Sequence, residues 1–81
     1  MSVTSIKVVG VGLIGTSLGL ALARKDIVAN LSDKSKVNLD LAITYGAGKN
    51  LDEEPELVVV CVPPTYTAQV VIEQLNQHPN A

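Results

Sequence analysis

The apolar positions of this chain fall into three short runs, and a stretch with helical spacing follows each of them. Ile6 to Gly10, apolar but for Lys7 and closed by glycine, reads as a short buried strand. From about Gly12 the spacing turns helical, with Ile14, Leu18, Ala21 and Leu22 on one face. Asp26 leads into a second run, Ile27 to Ser32, predicted as a strand. Val37, Leu41 and Tyr45 then recur at every fourth place in a helix that starts near Lys34 and stops at Gly46. Asn50 to Glu56 is polar and acidic and reads as a loop. Leu57 to Val62 is wholly apolar and mostly β-branched, which predicts a strand buried on both faces. Pro63-Pro64 ends it. A third helix carries Ala68, Val71, Ile72 and Leu75 on one face, with Pro79 past its end. Three βα units in alternation predict an α/β fold built on a doubly wound parallel sheet with right-handed crossovers.

Composition narrows the class. At 81 residues the chain is one domain at most. A chain of this size buries only about 60% of its unfolded surface, so its stability is expected to be marginal. Apolar residues make up 47% of it and two Tyr are the only aromatics, so the core is aliphatic, as a parallel sheet requires. The net charge is −2 and the six basic residues are scattered, which leaves no footprint for nucleic acid. The single cysteine, Cys61, allows no internal disulfide and reads as a small core side chain of the third strand. It fits a reducing compartment, and a cytoplasmic location is the expectation.

One rival concerns the stretch Val8 to Ala23. Its end, Ala21-Leu22-Ala23, resembles a signal-peptidase site, and Gly15-x-x-x-Gly19 resembles a membrane-helix packing motif. The stretch is shorter than the roughly 20 residues a spanning helix needs. Its first three glycines would each weaken a helix by about 1 kcal/mol. No membrane partner is expected.

The chemistry lies in the first turn. Gly10-Val11-Gly12-Leu13-Ile14-Gly15 is G-x-G-x-x-G between a predicted strand and a predicted helix. Gly10 permits the tight turn, Gly12 lets a pyrophosphate approach the backbone, and Gly15 lets the helix lie close to the sheet. The N–H groups of Leu13 and Ile14, with the positive end of the helix dipole, would face the phosphates. Alone, the motif also suits a glycine-rich turn in an ordinary α/β domain. Asp33 sharpens it, standing 18 residues after Gly15 at the end of the second predicted strand. A dinucleotide site needs an acidic residue there to accept hydrogen bonds from the adenosine ribose. Asp33 also suits the N-cap of the second helix. Its carboxylate would repel a 2′-phosphate, so NAD is expected over NADP, although Lys34, Ser35 and Lys36 leave room for NADP.

Other candidates carry less. Gly46-Ala47-Gly48-Lys49 lacks the spacing of a phosphate loop and reads as a turn. His78 is placed at a frayed helix end, and Glu53, Glu54 and Glu56 on a solvated loop. No nucleophile–base pair, catalytic residue or metal site is found.

The stretch Val9-Gly10-Val11-Gly12-Leu13-Ile14-Gly15-Thr16-Ser17-Leu18 resembles the opening of the prephenate and arogenate dehydrogenases of tyrosine biosynthesis. Leu57-Val58-Val59-Val60-Cys61-Val62-Pro63-Pro64 resembles their later strand and its proline turn. The resemblance covers residues 6 to about 77. It implies a Rossmann fold, a pyrophosphate site at Gly10, Gly12, Leu13, Ile14 and Gly15, and Asp33 at the adenosine ribose. It places Val62 and Pro63 near the nicotinamide-side ribose. It implies an oxidative decarboxylation whose catalytic histidine, substrate arginines and helical dimerisation domain lie in segments other than residues 1–81. The connection before the third strand is short for the extra element usual there. Other Rossmann reductases and a non-catalytic nucleotide-sensing module are the alternatives.

Residues 1–81 are thus expected to be the N-terminal part of a dinucleotide-binding domain, without turnover alone. Leu57 to Val62 carries none of the charge or proline that protects natural edge strands. It is expected to pair with a further strand or with another copy of the chain.

Overall fold

In a computed structural model, which describes residues 5–51 and 53–81, the elements alternate as the sequence predicts. They are β1 (Ile6–Val9), α1 (Leu13–Ala23), β2 (Asn30–Ser32), α2 (Lys36–Thr44), β3 (Leu57–Val60) and α3 (Pro64–Gln77). The strands form one open parallel sheet in the order β2-β1-β3, with Val8 opposite Leu31 on one side and Val59 on the other. This is a partial Rossmann-like α/β fold.

Strand periodicity divides the two faces. Ile6 and Val8 of β1 and Leu31 of β2 join Val11, Ala29, Ala42 and Ala47 in the core. Leu18, Leu20 and Leu22 of α1 and Leu39 and Ile43 of α2 cover that face. The alternate residue Lys7 meets the end of α3 on the other face. α1 approaches the sheet through its buried glycines, Gly15 and Gly19. A Cβ on Gly15 would fall onto the Gly10 carbonyl oxygen, so the helix can lie this close only without a side chain there.

The second strand is shorter than predicted because its first residues serve the helix before it. The Ile27 N–H returns to the Leu22 carbonyl (3.0 Å), closing α1, and Val28 is exposed. Ser35, not Asp33, caps α2, its hydroxyl accepting from the Asn38 N–H at 3.3 Å. α2 ends as predicted at Gly46, whose φ of +86° is a left-handed conformation. The Gly46 N–H returns to Ile43 and the Ala47 N–H to Ala42, both at 3.0 Å.

The segment from Gly46 to Lys49 is more than a turn. Lys49 forms a single parallel bridge with Asn30 on the outer side of β2. Its N–H donates to the Ala29 carbonyl (3.0 Å) and its carbonyl accepts from the Leu31 N–H (2.7 Å). The short connection therefore does hold an extra sheet position, one residue long. With it the order across the sheet is Lys49, β2, β1, β3, the 3-2-1-4 arrangement of a dinucleotide-binding half.

Two predicted features are corrected. β3 stops at Val60, and Leu57 is exposed while Val58, Val59 and Val60 are half-buried, because no strand covers its outer edge among the described residues. The predicted helix faces are displaced in α2 and α3 and in part in α1, where Leu18 and Leu22 do pack on the core. Ile14, Val37, Leu41, Tyr45, Val71, Ile72 and Leu75 are exposed, whereas Gly15, Gly19, Ala42, Val70 and Gln74 are buried. The stretch Val8 to Ala23 is split between β1 and α1, and no described helix is long and apolar enough to cross a membrane.

Candidate functional site

The carboxyl ends of all three strands meet at one place, where open α/β sheets bind ligands. Backbone hydrogen bonds stitch them together. The Gly10 N–H donates to the Ser32 carbonyl and the Cys61 N–H to the Val9 carbonyl, each at 2.7 Å. The chain crosses to opposite sides of β1 on passing to β2 and to β3, so the switch point, where such sheets receive ligands, falls between the glycine turn and the segment after β3.

Gly10 has a φ of +94°, and a Cβ there would lie 2.7 Å from the Cys61 carbonyl oxygen and 3.0 Å from the Val62 side chain. Both the conformation and the close approach require glycine. Gly12 is the opposite case, since a Cβ there would meet nothing within 4 Å. It is the N-cap of α1 and has no side-chain cap. The Thr16 N–H donates to the Gly12 carbonyl at 2.9 Å. The N–H groups before it, at Leu13, Ile14 and Gly15, belong to the first turn, where a helix supplies no partner of its own. The first turn carries no acidic residue. The Leu13 and Ile14 side chains stand exposed beside it, at 86% and 74%.

Asp33 follows β2 directly and reaches across to the turn. One carboxylate oxygen accepts from the Val11 N–H at 2.8 Å and the other from the Ser35 N–H at 2.7 Å. Val62 is half-buried and Pro63 exposed, the latter as the N-cap of α3 with Pro64 in its first turn. The structure thus brings together Gly10, Gly12, Gly15, Val62 and Asp33 around one turn. Thr16 is an addition that the sequence reading missed. Its hydroxyl donates to the Val11 carbonyl at 2.8 Å and pins the other end of the same peptide pair. Its place one turn into the helix was the available signal, since a hydroxyl there can reach back to the residues before the helix.

The open space over Gly12, the first-turn N–H groups and a nearby carboxylate with lone pairs to spare fit a dinucleotide. Cys61 lies half-buried against the core, and burial pushes its thiol pKa up, so the thiol is protonated at neutral pH.

A second polar group lies at the amino ends of the strands, away from this site. Lys7 Nζ is 3.0 Å from His78 Nε2 and 3.4 Å from Gln77 Oε1, and His78 Nδ1 is 3.1 Å from Glu54 Oε1. With the ammonium donating to Nε2, the imidazole proton sits on Nδ1 and faces the carboxylate. His78 is therefore no frayed end, and Glu54 is more than a solvated loop residue. Together they fasten the end of α3 to β1. Among the described residues no group of three or more His, Cys, Asp or Glu could hold a metal ion.

The chain is similar to a probable prephenate dehydrogenase, NovF, of Streptomyces niveus, at 45% identity over 67 residues. The match covers 79% of this chain and 18% of that protein, so the chain spans about a fifth of the relative it matches. No family model matches the chain. No solved structure matches it.

Proposed function

We propose that this chain is the cofactor-binding portion of an NAD(P)-dependent oxidoreductase of the prephenate or arogenate dehydrogenase kind, with NAD as the preferred cofactor. The observation that carries the reading is the open space at Gly12, at the uncapped N-terminus of a helix that follows the carboxyl end of a central strand. The likeness to a probable prephenate dehydrogenase over 67 residues supports the reaction class. A bound nicotinamide supplies the electron acceptor that an oxidative decarboxylation needs.

The chain's own part is binding and orientation. The N–H groups of Leu13, Ile14 and Gly15 donate to the pyrophosphate, helped by the positive end of the α1 dipole. A carboxylate has about four acceptor positions. Asp33 uses two of them on backbone N–H groups and keeps others for the adenosine ribose hydroxyls. The Val62-Pro63 turn flanks the nicotinamide side.

Gly12→Val tests the reading. A Cβ there meets no protein atom within 4 Å, so circular dichroism is expected to be unchanged, while calorimetric titration with NAD is expected to show binding to the wild type only. Equal binding to both would place the phosphates elsewhere and overturn the site. No binding of NAD or NADP to the wild type would overturn the function.

A further inference from the structure

The fingerprint role of the acidic residue after β2 is to hold ribose hydroxyls, yet here both oxygens of Asp33 are already engaged by backbone. Oδ2 accepts from the N–H of Val11, the residue between the first two glycines, and Oδ1 from the N–H of Ser35, the cap of α2. Val11 is 3% exposed. Its N–H donates to Asp33 and, among the described residues, to no backbone carbonyl, so removing the carboxylate takes the acceptor from a buried residue, a costly change. On its other side the Val11 carbonyl is held by the Thr16 hydroxyl. The turn between Gly10 and Gly12 is therefore clamped at both ends by side chains, one of them charged.

We propose that Asp33 is a positioning residue for the phosphate-binding turn. It fixes the Val11 peptide, and through Ser35 the start of α2, before any ligand arrives. Contacts to ribose are then a second use of the same carboxylate. This deepens the dinucleotide reading in one respect: a carboxylate shared in this way couples recognition of the adenosine ribose to the shape of the turn that receives the pyrophosphate. The brace itself does not depend on that reading.

Amide hydrogen exchange of the ligand-free chain tests it, in the wild type, Asp33→Asn and Asp33→Ala. A hydrogen bond to a charged acceptor protects on the order of ten- to a hundredfold, so exchange at Val11 is expected to accelerate by about that factor in Asp33→Ala. The Leu31 amide, bonded to the Lys49 carbonyl at 2.7 Å, is the internal control and is expected to stay near its wild-type rate. Asp33→Asn keeps the shape but offers one oxygen to two donors, so either Val11 or Ser35 is expected to lose protection.

Unchanged exchange at Val11 and Ser35 in both variants would overturn the brace. Equal acceleration at Val11 and Leu31 would also overturn it, since the residue would then support the whole fold. The second arm titrates NAD and its adenosine 2′,3′-dideoxy analogue into wild type and Asp33→Asn. A brace is expected to weaken both ligands severalfold, whereas a residue acting only on ribose hydroxyls would leave the analogue's affinity unchanged. Should the wild type bind neither ligand, the dinucleotide reading falls and the exchange measurement still decides the brace.

Discussion

Lys7 occupies a core strand with its neighbours Ile6, Val8 and Val9 all buried. Desolvation lowers its pKa below the ordinary 10.5, with the Glu54 charge acting in the opposite direction. Below the lowered value both the folded and the unfolded chain hold the proton, and folding carries the full cost of burying the ammonium. As pH rises from the lowered value toward 10.5 the folded chain sheds the proton first, the unfolded chain binds more protons, and stability rises. Urea unfolding across the alkaline range is therefore expected to show the wild type gaining stability relative to Lys7→Met; parallel curves would remove the burial cost. The glycines differ just as sharply. Gly15→Ala is expected to cost about 1–3 kcal/mol through overpacking against Gly10. Gly12→Ala is expected to cost under about 1 kcal/mol, as a cap change in open space. At this scale the glycine turn was legible at Gly10 and Gly15, where a tight turn and a close approach demand glycine. The partners of Asp33 were not, because two backbone donors leave no mark on side-chain identity. Nor was the Lys7–His78 contact, which joins residues 71 positions apart.

Among the elements, order and type followed from the apolar pattern, and the faces did so only in part, through Leu18 and Leu22 of α1. Periodicity weights bulky side chains, yet α1 meets the sheet through Gly15 and Gly19 and α2 buries Ala42. Small residues let a helix axis approach closely, so the bulky Ile14, Val37 and Leu41 are left outside. The end of α2 at Gly46 was clearer, because a left-handed glycine stop is local, whereas its cap fell at Ser35 and not at Asp33. Removing the α2 cap with Ser35→Ala is expected to cost about 0.5–2 kcal/mol. Gly46→Ala places a side chain on a residue with a φ of +86° and is expected to cost about 1–2 kcal/mol. Thermal unfolding of the two variants checks both values, and a neutral Gly46→Ala would mean that the turn after α2 relaxes without loss. The β3 boundary was misjudged for a different reason. The ladder of β1, only four residues long, pairs Leu57 to Val60, and Cys61 adds just its N–H to the Val9 carbonyl.

At the scale of the molecule, the outer backbone edge of the four-residue β3 is open among the described residues. β3 pairs with β1 on one side only, and Leu57, Val71 and Leu75 lie uncovered beside it. β3 carries no charge, so two copies related by a two-fold axis could set it antiparallel to itself without repulsion. The mass of the 81-residue chain in solution is expected to rise with concentration. Leu57→Lys, an exposed change of the kind that protects natural edges, is expected to suppress the rise. A monomer at every concentration would show that the edge is left unpaired. At the carboxyl ends of the strands, residues distant in sequence hold one another, Asp33 bonded to Val11 of the glycine turn and Cys61 to Val9 just before it. On the proposed reading a dinucleotide bound there would touch these parts together and act as a noncovalent cross-link that the unfolded chain cannot retain. By mass action a ligand at one hundred times its dissociation constant adds about 2.7 kcal/mol to folding. In a chain of this length that corresponds to a rise in Tm of roughly 10–20 °C. On the proposed reading NAD is then a folding partner as well as a cofactor. A melting curve that climbs with the logarithm of NAD concentration in the wild type, and stays flat in Gly12→Val, would show it.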